Sequence, residues 1–191
     1  LPGMGFEPIG SGMCSRAITV TLASVLSLKL GYNGEYALMR VWIDADACPK
    51  AAKDQVVKFA LKRRFEVLLV AGQAQSKPAY SCVRLIVVPS GPDAADDYLV
   101  EHALAGELVI CSDVPLADRL VKKGVAALDP RGREFDERNM GDKLAVRNLF
   151  TELRELGQVG GGQSPYGERD KQAFANSLDR ILARLQRQTG A

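Results

Sequence analysis

The residues in this chain whose types and spacing could do chemistry are carboxylates placed just after apolar stretches. Asp44 and Asp46, one residue apart, follow Val41-Trp42-Ile43 and precede Pro49, a residue suited to the first turn of a helix. Asp93, Asp96 and Asp97 follow a second apolar stretch, and Asp113 follows a third, next to Ser112. Two ionised carboxylates about 5 Å apart repel by roughly 3 kcal/mol at an effective dielectric near 20. Several at one edge therefore call for a cation, a shared proton or basic neighbours. Hard oxygen donors of this kind suit Mg²⁺ or Mn²⁺. Asp44, Asp93, Asp96, Asp97 and Asp113 are the acids that could hold such an ion.

Each acid also has a structural reading. Asp93, Ser112 and Asp113 stand where a helix N-cap is wanted, and Asp96 and Asp97 in a first turn would complement the helix dipole. Asp46 could cap the helix opened by Pro49. Asp44, ending an apolar strand with no base beside it in sequence, has no such excuse. Cys48 lies among carboxylates that raise a thiol's pKa, so a packed, inert thiol is expected there. Ser112 could touch a phosphate or act only as a cap. The single histidine, His102, excludes any mechanism or metal site needing two from one chain, and a surface or packing role is expected for it.

The basic residues fall into two groups. Those between Lys50 and Arg64 mostly decorate the solvent face of a helix. Arg131, Arg133, Arg138, Lys143, Arg147 and Arg169 include several in Gly- and Pro-rich loops where a phosphate backbone could approach. Arg131, Arg133 and Arg147 are the candidates among these to meet such a phosphate, with Ser112.

The elements that must position these groups alternate. Strands are expected over residues 41–44, 66–71, 85–88, 108–111 and 125–128, and helices over 49–64, 93–105 and from Ser112 to a stop at Gly124. Residues 66–71 form a continuous apolar run, as in a parallel sheet buried on both faces. The alternation predicts an α/β fold, a doubly wound three-layer domain with a mainly parallel sheet. In such sheets ligands sit outside the carboxyl ends of the strands, which is where the acids fall. Beyond Asp129-Pro130-Arg131-Gly132 the spacing predicts a helix over 139–156 with Leu144, Leu149, Leu153 and Leu156 facing inward, a glycine-rich loop over 157–167, and a last helix over 170–186 with Phe174, Leu178, Ile181, Leu182 and Leu185 on one stripe.

Composition sets the outer bounds. The 191 residues are 47% hydrophobic and 25% charged with a net charge of +2, which describes one globular domain and excludes fibrous or disordered classes. From Gly91 to Asp118 there are seven acids and no Lys or Arg. The four cysteines form no C-x-x-C, so reduced thiols in a cytoplasmic protein are expected rather than a zinc site. The apolar run over 17–30 is broken by Thr, Ser and Lys29 and is too short to span a membrane, so no membrane partner is expected. Residues 1–38 differ from the rest. Met39 is the expected natural start, with 1–38 an extension, 39–187 the domain and 188–191 a tail.

The segments Ile43 to Pro49, Val88 to Asp97, Ser112 to Ala117, Asp129 to Gly132 and Glu168 to Asn176 together resemble the bacterial YaiI/YqxD family, in order and from Met39 to about Leu185. The resemblance implies a PIN-like nuclease fold, in which acids at strand ends hold one or two divalent ions that activate water against a phosphodiester. By position Asp44 matches the first acid of that arrangement, Asp113 the acid after the fourth strand, and Asp93, Asp96 or Asp97 the one between. The resemblance implies a metal-dependent nuclease or phosphodiesterase acting on RNA, with Asp44, Asp46 and Asp113 at the reacting centre, Asp44, Asp93, Asp96, Asp97 and Asp113 as the pool of metal ligands, and Ser112, Arg131, Arg133 and Arg147 as substrate contacts. One alternative is a non-catalytic PIN-like domain that binds RNA or a protein. Another takes Asp44-Ala45-Asp46 as the D-x-D of a haloacid-dehalogenase-type phosphatase, with Ser112 and Lys122 as later elements. In that reading the paired acids Asp96-Asp97 come too early.

Overall fold

The computed structural model describes residues 39–89, 91, 93–156 and 165–189. The expected extension over 1–38 lies outside these residues, as does most of the expected glycine-rich loop. In order the elements are β1 (Arg40–Asp44), α1 (Lys50–Arg63), β2 (Glu66–Ala71), β3 (Val83–Val87), α2 (Ala94–His102), β4 (Leu108–Ile110), α3 (Val114–Lys122), β5 (Ala126–Leu128), β6 (Glu134–Phe135), α4 (Glu137–Glu155) and α5 (Glu168–Thr189).

The six strands form one sheet in the order β3-β2-β1-β4-β5-β6, parallel except for the β5–β6 pair. The α/β expectation holds. The two-residue antiparallel β6 was not foreseen, because two residues carry no alternation to read. The chain winds one way from β1 to β3 and the other way from β4 onward. The order therefore reverses between β1 and β4, where a crevice opens at the strands' carboxyl ends.

Side chains alternate across the sheet, so its two faces build two cores. Val41 and Ile43 of β1 join Val67, Leu69, Leu108 and Ile110 against Ala52, Val56 and Ala60 of α1 and Phe174, Leu178, Ile181 and Leu182 of α5. Trp42 joins Leu68, Val70 and Val109 against Leu99 of α2, Leu116, Ala117 and Leu120 of α3 and Met140 of α4. The result is three layers. The same alternation places Asp44 on the face of Trp42, the side covered by α2 and α3.

At the opposite ends of the strands, Glu107 is buried and fully engaged. It accepts from Arg40 Nε at 2.6 Å, from Trp42 Nε1 at 2.8 Å and from the Leu104 amide at 3.0 Å. A buried carboxylate is tolerated when every lone pair has a partner.

Two expectations for the helices need correction. α4 buries the stripe read from its spacing only in part: Leu144 packs half-buried on the core and Leu153 is half-buried, but Leu149 and Leu156 are 53% and 68% exposed, Val146 and Phe150 are also exposed, and the fully buried residue is Met140. Its first turns rest on α3 beside β6, but β6 is two residues long and a 19-residue helix spans about 28 Å, so the sheet ends beneath it. The last helix is longer than expected, reaching Thr189.

The turn from Asp129 to Arg133 is held by α5. The Gly132 amide donates to the Asp129 carbonyl at 2.8 Å, and Ser177 Oγ donates to the Gly132 carbonyl at 2.7 Å. Gly132 has a φ of +84°, and a Cβ there would lie 2.6 Å from the Ala173 carbonyl oxygen and 2.7 Å from the Phe174 amide nitrogen. Gly106 also has a positive φ, +86°, but open space beside it. In urea denaturation, Gly106→Ala is expected to cost about 1 kcal/mol from backbone strain alone, and Gly132→Ala about 2 kcal/mol or more because α5 must also shift.

Candidate functional site

The site is built from the loops that leave the sheet on either side of the β1/β4 crevice. β1 ends in Asp44, whose backbone carbonyl accepts from the Cys48 amide at 3.1 Å, closing a tight turn into α1. Asp44 is 7% exposed; the Ala47 amide donates to its Oδ1 at 3.4 Å and the Asp46 amide also faces the carboxylate, but no cation pairs with it among the described residues. Burial pushes the Asp44 pKa up, the Ala47 and Asp46 amides pull it down, and the charges of Asp46 and Asp113 raise it further.

Asp46 has a different role from the one its position suggested. It does not cap α1, whose N-cap is Pro49 without a side-chain bond. Its Oδ2 accepts from the Gly72 amide at 2.7 Å and its Oδ1 from Gln75 Nε2 at 2.9 Å. Lys53 Nζ donates to the Ala45 carbonyl at 3.0 Å and to Gln75 Oε1 at 3.2 Å. The loop after β2 is thus tied to the turn after β1. Lys53 was missed among the helix lysines, since nothing in a run of basic residues marks the one that points inward.

α2 brings Asp96 to the same place. Desolvation pushes its carboxyl up to about 6, and the charges of Asp44, Asp113 and Asp93 push the same way against Arg119. Asp93 stands at the N-cap of α2 but makes no side-chain capping bond, and its φ is +59°, an uncommon conformation for a non-glycine residue. Asp97 points elsewhere, pairing with Arg119 at 2.7 Å on the surface. Asp113 caps α3 as expected, its Oδ2 accepting from the Leu116 amide at 3.0 Å.

Two depressions adjoin at Ala47. One, of about 340 Å³, is lined by Asp44, Asp46, Asp93 and Asp96 together with Gly72 and Gly91. The other, of about 300 Å³, is lined by Ser112, Asp129, Arg131, Arg133 and Tyr166 together with Pro49. The structure therefore gathers Asp44, Asp46, Asp93 and Asp96 on one side and Ser112, Arg131 and Arg133 on the other. Arg147 lines neither and is exposed along α4. Tyr166 was not singled out beforehand, because it lies far along the chain from the other residues of the crevice and nothing local marks its return there.

The remaining candidates are quiet. Cys48, Cys82 and Cys111 are free and buried. Desolvation pushes the Cys48 thiol up to about 12, with Lys53 pulling down and Asp44 adding to the rise, so no thiolate is available near neutral pH. The His102 ring stacks on Tyr98 with centroids 3.9 Å apart. Lys122 pairs with Asp118 in the last turn of α3, a helix length of about 12 Å from the crevice, so it gives the phosphatase reading no support.

The acids bring hard oxygen donors to the crevice. Among the described residues, however, no three His, Cys, Asp or Glu side chains converge closely enough to form a ready-made coordination sphere. Among the same residues, no helix is long and apolar enough to cross a membrane.

Comparison with known proteins bears on this arrangement. Residues 42–184 match the YaiI/YqxD family of uncharacterized bacterial proteins. A UPF0178 protein of Pseudomonas fluorescens is 85% identical over 150 residues, covering 78% of this chain and 99% of that protein. One from Stutzerimonas stutzeri is 84% identical over 149 residues, again covering 78% and 99%. One from Ectopseudomonas mendocina is 83% identical over 149 residues, covering 78% and 100%. No solved structure matches. The aspartates after β1, the acids opening α2 and the Asp129–Gly132 turn all lie in the matched stretch, and the chain belongs to the YaiI/YqxD family.

Proposed function

We propose that the chain is a divalent-metal-dependent phosphodiesterase acting on RNA, built on a PIN-like fold. The observation that carries this reading is Asp44. It is a buried carboxylate with no ion pair among the described residues, at the point where strand order reverses, within electrostatic reach of Asp46, Asp96 and Asp113, in a depression that shares Ala47 with a pocket holding two arginines. A carboxylate with no counter-charge beside it is costly to bury unless something offsets its charge.

A small hard cation suits the donors present. Mg²⁺ commonly takes one or two carboxylates from a protein and keeps its waters, so Asp44 and Asp96 are sufficient without a three-carboxylate cage. When bound, such an ion polarises a phosphoryl oxygen and lowers the pKa of water. Asp44 would anchor it from the rigid end of β1. Asp113 offers the oxygen not used in capping α3, and Asp93 faces the depression from the start of α2. Asp46, both oxygens engaged, keeps the loop after β2 in place. Arg133 would hold the phosphate backbone.

In a calorimetric titration of the intact chain, Mn²⁺ is expected to bind saturably, and Asp44→Asn is expected to abolish binding. Hydrolysis of mixed single-stranded RNA is expected to fall at least 100-fold in the same variant, with little turnover of p-nitrophenyl phosphate by either form. Absence of saturable Mn²⁺ binding in the parent chain would sink the reading. RNA binding without hydrolysis would favour the non-catalytic alternative.

Asp96 supplies a separate pH signature. Its folded pKa, about 6, lies above its ordinary value of 3.8, so between those two pH values the folded chain holds protons that the unfolded chain has lost. The contribution of this group to stability therefore falls as pH rises through the window and is fully unfavourable above it. Asp96 is partly exposed, and solvent screening reduces the effect to about 1 kcal/mol. Relative to the parent, Asp96→Asn is expected to gain about that much stability between pH 4 and pH 7 in metal-free urea titrations.

A further inference from the structure

The pocket beside the acids has the opposite character. Of the charged side chains around it, Arg131 is already committed, donating to Asp170 Oδ2 at 3.0 Å. Its backbone amide donates to Asp129 Oδ1 at 2.6 Å, which turns that carboxylate toward the loop's own backbone. Arg133 is different. Among the described residues its guanidinium makes no hydrogen bond or ion pair, and it is exposed at the mouth of the pocket. The Lys143 charge lies within electrostatic reach of it.

The backbone that carries Arg133 is held in place. Its carbonyl accepts from the Asp129 amide at 2.9 Å, closing the turn that α5 grips through Ser177. Tyr166 donates its hydroxyl to the Pro130 carbonyl at 3.1 Å, and its ring packs on the core beneath α1 and α5, leaving an aromatic wall of fixed position. The Arg133 guanidinium and the Ser112 hydroxyl, in one pocket with an aromatic wall, suit a phosphate attached to something flat. The volume, about 300 Å³, lies at the lower end of small-ligand sites, enough for one nucleotide.

We infer that this pocket is a nucleotide subsite: Arg133 and the Ser112 hydroxyl take a phosphate, and Tyr166 forms the wall for the sugar or base of one unpaired nucleotide. Resting on the phosphodiesterase reading, this places the adjoining phosphodiester over Ala47, beside Asp44 and Asp96. The single-nucleotide size selects single-stranded over duplex substrate.

The subsite is tested without metal. Calorimetry of the intact chain in EDTA with AMP, with UMP and with inorganic phosphate separates the nucleotide from its phosphate. Both nucleotides are expected to bind saturably and more tightly than inorganic phosphate. Arg133→Ala, an exposed position that leaves the fold intact, is expected to weaken all three at least tenfold. Tyr166→Leu, which keeps apolar filling, is expected to weaken the nucleotides and leave inorganic phosphate unchanged. The inference is overturned by a lack of nucleotide binding in EDTA, by binding that Arg133→Ala leaves unchanged, or by inorganic phosphate binding as tightly as AMP. Because no divalent ion is present, failure of the subsite shows here and failure of the phosphodiesterase reading shows in the Mn²⁺ titration, so the two are told apart.

Discussion

A strand covered on both faces and paired on both edges can place an ionisable side chain only at its end. β1 is that strand: β2 and β4 flank it, α1 and α5 cover one face, and α2 and α3 cover the other. Its end coincides with the reversal of strand order, and Asp44 occupies it. Everything notable about the crevice follows from charge held at that point. Burial raises the Asp44 and Asp96 carboxyls and the Cys48 and Cys111 thiols, and the neighbouring carboxylates on the same edge push each of them further the same way.

The edge is made rigid by bonds that have no part in chemistry. Asp46 spends both oxygens on Gly72 and Gln75, and Lys53 ties the same loop to Ala45. On the other flank, Ser177 and Tyr166 hold the Asp129–Arg133 turn, and Arg131 joins it to Asp170. Charged groups placed this way stay separated without moving toward one another, which is the condition for electrostatic preorganisation. The strands' other ends show the opposite economy: Glu107 is as buried as Asp44, yet Arg40, Trp42 and Leu104 satisfy it completely. Two buried acids at opposite ends of the same sheet therefore have different meanings, and their hydrogen bonds distinguish them.

Much of this was legible in the residues. Continuous apolar runs such as Glu66–Ala71 announced buried parallel strands, and alternation with helices announced the layers. Asp44 stood out because no local capping role explained it. The resemblance of five segments to the YaiI/YqxD family was borne out by the match over residues 42–184. The α4 stripe misled because helical spacing reports which residues share a face, not whether anything lies opposite that face.

Sequence by itself determined the element types, the strand-end position of each acid and the family, because these depend on local pattern and on order along the chain. Only tertiary structure decided which of those acids act together. It turned Asp97 out to Arg119, bound Asp46 to a loop 26 residues away, brought Asp96 toward Asp44 and returned Tyr166 to the crevice. Burial, desolvation and partnership are properties of the space around a carboxylate, and that space is filled by segments distant in sequence.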